Sequence, residues 1–137
     1  MNRNPSVKKF LSKLAPADRI IVQALRQVMH DAHPSMQEYW PYTGTSLFFR
    51  LHGPLGYLNY GHTLKLREPL YIGFTKGCYI EDVSPLLRGR GTHKVIRYVP
   101  LPHAEFVSSE PFLEIVNAAV QYNLNLMAGK SKAARLR

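Results

Sequence analysis

Apolar residues recur along this chain at two different periods, and the switch between them at Pro34 fixes the order of its elements. Before it, Val7, Phe10, Leu11 and Leu14 fall at i, i+3, i+4 and i+7, the apolar stripe of a short helix. Asn4 followed by Pro5 gives that helix a capping oxygen and a ring already set at helical φ. Pro16 restarts a helix with Asp18 in its first turn, Ile21, Leu25, Val28 and Ala32 form the next stripe, and Pro34 stops it. From Gln37 the period becomes two. Glu38 to Tyr42 and Leu47 to Leu51 are strand formers, with Leu47, Phe49 and Leu51 on one face against Phe48, Arg50 and His52 on the other. His52 to Gly56 is turn chemistry, and Tyr57 to Tyr60 returns as a hairpin partner. Leu70 to Thr75 is more continuously apolar and predicts a central strand; Lys76 and Gly77 turn it into a strand at Cys78 to Ile80. Glu81 to Gly91 reads as loop with a helical turn around Leu86 and Leu87, and Lys94 to Val99 is the last strand, closed by Pro100 and Pro102.

Period 3.6 then returns. Ser109 can cap a final helix, Glu110 and Pro111 suit its first turn, and Phe112, Ile115, Val116, Ala119, Val120 and Met127 give it an apolar face. Gly129 stands where a C-terminal cap belongs. Two helices, a meandering antiparallel sheet of about five strands and a closing helix make an α+β fold in one domain over residues 1–129, with 130–137 as a basic, disordered tail. A chain of 137 residues buries enough surface to need no staple, and its one Cys forbids an internal disulfide. No apolar run approaches the roughly 20 residues that span a bilayer, and no signal-like segment follows the N-terminal cations. The expectation is a cytoplasmic protein without a membrane partner.

A string of residues carries a resemblance. Phe10 and Leu11, Leu25 and Arg26, Pro34 with Glu38 and Tyr42, Tyr71 to Phe74 with Gly77, Leu87 to Gly91, then Lys94 and Arg97 resemble, in order and spacing, the YdhG-like family of small bacterial domains largely of unknown function. The match runs from about Phe10 to Met127. It implies a sandwich similar to that of frataxin, and, because one branch of the family is described as an intracellular iron chaperone, it implies iron handling. The residues depart from that pattern where an iron carrier presents an acidic ridge: Asp18 and Asp31 are the only acids before Glu38, and a net charge of +9 repels a cation that wants several clustered oxygens.

No complete catalytic or metal motif is present, so neither catalysis nor a cofactor is expected. Cys78 has no local base, and a lone Cys at a strand start is commonly a small apolar residue. His30 and His33 are spaced to reach one metal, but no third ligand is in sight. Glu38, beside Trp40 and Tyr42, needs a charged donor if buried, and Arg26 and Arg97 are the candidates. One reading makes Glu38 and an arginine the polar floor of a small-ligand pocket walled by Trp40, Tyr42, Tyr57 and Tyr71; the other makes them a structural ion pair. Arg88, Gly89, Arg90, Gly91 and Lys94, with Arg97 beyond them, can form an anion nest in which arginines fork onto a phosphate, or simply a solvated basic turn. A binding module for a small anionic or phosphorylated ligand follows as the leading expectation. Nucleic acid is the other partner that the charge suggests, although most aromatics are expected in the core and no GXXG clamp or zinc knuckle appears.

Overall fold

The computed structural model describes residues 5–135, with side chains described through Gly129. Helices α1 (Pro5–Ser12) and α2 (Pro16–Ala32) lead into five strands: β1 (Gln37–Tyr39), β2 (Leu47–Arg50), β3 (Pro54–Tyr60), β4 (Leu70–Phe74) and β5 (Arg97–Leu101). A single turn, α3 (Ala104–Val107), precedes the long α4 (Glu110–Arg135). The sheet is a meander in the order β1-β2-β3-β4-β5, antiparallel throughout.

Alternation divides the sheet into two unlike faces. Leu47, Phe49, Leu58, Leu70, Ile72, Phe74, Val99 and Leu101 point into one core with Val7 and Phe10 of α1, Val22, Leu25 and Met29 of α2, and Phe112 and Ile115 of α4. An irregular register, pairing Phe49 with Gly56 but Arg50 with Pro54, turns Leu55 into the same core although alternation alone would put it with Tyr57. The opposite face carries Tyr39, Phe48, Tyr57, Tyr71 and Tyr98, none of which belongs to that core. The expected core role holds for Phe10, Trp40, Phe49, Phe74 and Phe112, with Tyr60, Phe106 and Tyr122 packed against them, but not for the five outer rings, because the helices cover one face and half of each alternating strand falls on the other.

Local departures have physical causes. Cys78 to Ile80 is not a strand, because β5 already fills the edge of β4 that a hairpin would use; a 3-10 turn forms at Gly77–Tyr79, with the Cys78 amide donating to the Val95 carbonyl at 2.8 Å. The helical turn placed around Leu86 and Leu87 occurs earlier, at Glu81–Val83. His103 caps α3 by accepting from the Phe106 amide. Ser109 Oγ donates to the Phe106 carbonyl, and α4 passes through Gly129 instead of ending there. The Asn4 cap and the side chains of the basic tail lie outside the described residues. No helix among the described residues is long and apolar enough to cross a membrane.

Candidate functional site

Glu38 is the middle residue of β1, and alternation turns it inward beneath α2. Its carboxylate is fully buried and takes a forked hydrogen bond from Arg26, whose Nε lies 2.9 Å from both Oε1 and Oε2 and whose second nitrogen also reaches Oε1. Gln23, one turn earlier on α2, accepts from the remaining arm of the guanidinium at 2.7 Å. His30, one turn later, brings Nε2 to 3.4 Å from Glu38 Oε1, within ion-pair reach but out of line, so this buried nitrogen makes no hydrogen bond. This cluster is internal and ties α2 to the sheet edge.

Arg97 is elsewhere. It lies on β5, at the far edge from β1, roughly 19 Å away across four strand spacings. Its Nε donates to Glu81 at 2.8 Å and another arm donates to the carbonyls of His93 and Ile96, so it clamps the 77–96 connection. Glu38 and Arg97 therefore share no pocket. Nor do the aromatics: Trp40 faces α1, whereas Tyr57 and Tyr71 lie on the outer face. His30 and His33 also part company, since His33 ends α2 and its Nδ1 accepts from the Ser35 amide. Among the described residues no three His, Cys, Asp or Glu side chains come together to hold a metal ion.

The glycine loop is built on its two special positions, Gly89 at φ 115° and Gly91 at φ 86°. Arg88 is docked on Tyr98 by a reciprocal pair of backbone hydrogen bonds of 2.8 and 2.9 Å, which extends the sheet by one residue beyond β5. The amides of Thr92 and His93 turn inward to the Gly89 carbonyl. Arg88, Arg90 and Lys94 stand at least partly open to solvent.

A cleft of about 240 Å³ opens beside Trp40, between α1 and the ends of β1 and β3, lined by Phe10, Lys13, Leu14, Trp40, Gly44, Thr45 and Tyr60. The indole N–H donates to the Gly44 carbonyl at 3.2 Å, which fixes the ring as a wall. Phe10 meets it edge-on at 6.0 Å, exposed Tyr42 leans on it at 5.3 Å, and the Lys13 ammonium stands 5.2 Å from its centre. Tyr60 forms the opposite side; burial and Asp18 raise its phenol pKa, so the hydroxyl stays a donor. The aromatic richness around Trp40 was legible in the sequence. Phe10, Lys13 and Tyr60 were not, because only the fold brings α1 and the end of β3 to β1.

On the outer face, rings touch in succession across all five strands: Tyr39 to Phe48, Phe48 to Tyr57, Tyr57 to Tyr71, and Tyr71 to Tyr98, at 5.3, 6.3, 6.0 and 5.9 Å. Burial first, and then neighbouring Tyr71, push the Tyr57 pKa up to about 12 from an ordinary 10. The fold thus favours the neutral phenol. That contribution is complete below pH 10 and is lost as pH rises through about 12. A pH titration followed by NMR of the tyrosine ring carbons should show Tyr57 ionising near 12 and not near the ordinary 10 of a free tyrosine, and Tyr57→Phe should flatten the alkaline loss of stability. Ionisation of Tyr57 near pH 10 would refute this.

No family model, curated protein or solved structure matches this chain.

Proposed function

We propose that the protein is a binding module for small organic anions, with the apolar part of the ligand between Phe10, Trp40 and Tyr60 and its carboxylate or phosphate at Lys13. The carrying observation is the cleft itself, whose lining is mainly apolar and aromatic and includes one charged side chain, an exposed cation at its rim. Its 240 Å³ lies just under the range of about 300–1,000 Å³ typical of sites for drug-sized ligands, which suits a single ring with an acidic group. The lining offers no nucleophile paired with a base, so the chemistry it supports is recognition. The YdhG-like resemblance adds an iron-carrier alternative, but no carboxylate lines this cleft, and the single Asp18 that acts on Tyr60 is not the cluster of oxygens such a cation wants.

Trp40 is the only tryptophan, so its fluorescence reports this cleft alone. Benzoate or phenyl phosphate should change the emission saturably. Neutral benzamide, or benzoate added to Lys13→Ala, should bind about two- to fivefold more weakly, since an exposed charge contact contributes up to ~1 kcal/mol. Ferrous iron added anaerobically should leave the emission unchanged. Equal binding of benzoate and benzamide, or a response to iron alone, would overturn the reading.

A further inference from the structure

The outer face of the sheet differs from the rest of the molecule in charge as well as in aromatic content. Its outward strand residues are rings, Gln37, Arg50, Pro54, Asn59, Gly73 and Pro100, with no acid among them. The nine acids of the chain lie on α2, α3 and α4, in the connections, or buried as Glu38. Cations stand at both ends of the ring row. Beside Tyr39 and Phe48, exposed Arg50 and His52 line an open cleft of about 340 Å³ with Ser35, Gln37 and Gly53. His52 is held in the left-handed region at φ 55°, an uncommon conformation for a residue with a side chain. At the other end the Arg88 backbone is hydrogen-bonded to Tyr98, the His93 ring contacts Tyr98 at 6.1 Å, and Arg90 and Lys94 follow in the same loop.

Gly73 gives the row its seat. A Cβ there would come within 2.6 to 2.8 Å of three consecutive atoms of the Tyr57 side chain, so that ring lies over the glycine backbone as on a floor. Tyr57 remains partly exposed, whereas Tyr71, walled by Tyr57 and Tyr98, is nearly closed off. Half-exposed rings bounded by cations meet both demands of a flexible polyanion carrying planar groups: stacking for the bases and charge for the phosphates. A duplex hides its base faces, and this face offers no helix to enter a groove. A second copy of a chain with net charge +9 would bring like charges together.

We infer that the helix-free face of the sheet binds single-stranded nucleic acid, with bases against Tyr57, Tyr98 and the Tyr39–Phe48 end of the row, and phosphates at Arg50 and at Arg88, Arg90 and Lys94. The site is separate from the Trp40 cleft and stands without it.

Fluorescence anisotropy of the full chain with a labelled short oligothymidylate tests this, alongside a duplex of equal length and heparin as competitors. The oligothymidylate should bind most tightly, and its log K should fall linearly with log salt. Arg50→Ala and the Arg88→Ala, Arg90→Ala double variant should reduce that slope by about 0.7 for each phosphate left without its cation. Tyr57→Leu should weaken binding about tenfold while leaving the slope unchanged, because base stacking on a ring is not screened by salt. Phe48→Leu serves as a second ring variant, with thermal melting checking that each variant folds. Three results would overturn the inference: equal affinity for heparin, wild-type binding by both folded ring variants, or a wild-type dimer in sedimentation that Tyr57→Leu converts to monomer.

Discussion

Glu38→Ala is expected to cost about 3–5 kcal/mol of stability, because it strands the Arg26 guanidinium in a site closed to water. Arg26 is 7 % exposed, and the Glu38 side chain that neutralises it is completely buried. For a domain of this size the loss corresponds to a melting temperature lower by roughly 10–15 °C. The cost measures the orphaned charge, not the net worth of the pair. Arg26→Met should be comparably damaging because it leaves Glu38 as the stranded ion. The double variant Arg26→Met, Glu38→Leu should recover most of the loss, since a buried ion pair and a well-packed apolar replacement are often close in free energy. A double-mutant cycle in urea decides it: additive losses would show that the two side chains do not act as a unit.

That pair also shows how far the sequence could be read. An acid followed by Tyr39 and Trp40 demands a cation if it is buried, and two arginines were eligible. Helical spacing puts Gln23, Arg26 and His30 on one side of α2, facing β1, but only the strand order removes Arg97 to the far edge. The Glu81 partner of Arg97 was invisible, because an ion pair between a loop and a strand sixteen residues later leaves no mark on any period. The helices and the strands β2, β3 and β4 were legible because each has an uncovered or buried face that repeats. The α3 turn was not, since four residues capped by His103 are too short to show a repeat. Among the aromatics the alternation was plain, with Phe48 set against Leu47 and Phe49. What the sequence did not contain was the number of faces that the helices cover, and that decides whether Tyr39, Phe48, Tyr57 and Tyr98 are core or surface.

The other large effect expected is at Gly61, where the constraint is room and not backbone freedom. Gly61 follows β3 directly, donates its amide to the Pro69 carbonyl at 2.9 Å, and accepts from the Leu66 amide at 3.0 Å, closing the β3–β4 connection on itself. A Cβ at this position would lie 1.8 Å from the Glu68 carbonyl oxygen, inside any tolerable contact and against backbone that is held by those two hydrogen bonds. Gly61→Ala must therefore open the connection, at a cost of about 3 kcal/mol, the upper end for overpacking. Gly91→Ala is the control, because Gly91 has φ 86° but nothing within 4 Å of its Cβ position, leaving only conformational strain of about 1 kcal/mol. Tyr60 immediately precedes Gly61 and walls the Trp40 cleft, so the Gly61 variant should also lose the benzoate response of Trp40, whereas the Gly91 variant keeps it. Urea unfolding of the two variants side by side gives the answer: equal midpoints would mean that the Glu68 carbonyl yields freely and that the closed connection does not hold this wall of the cleft in place.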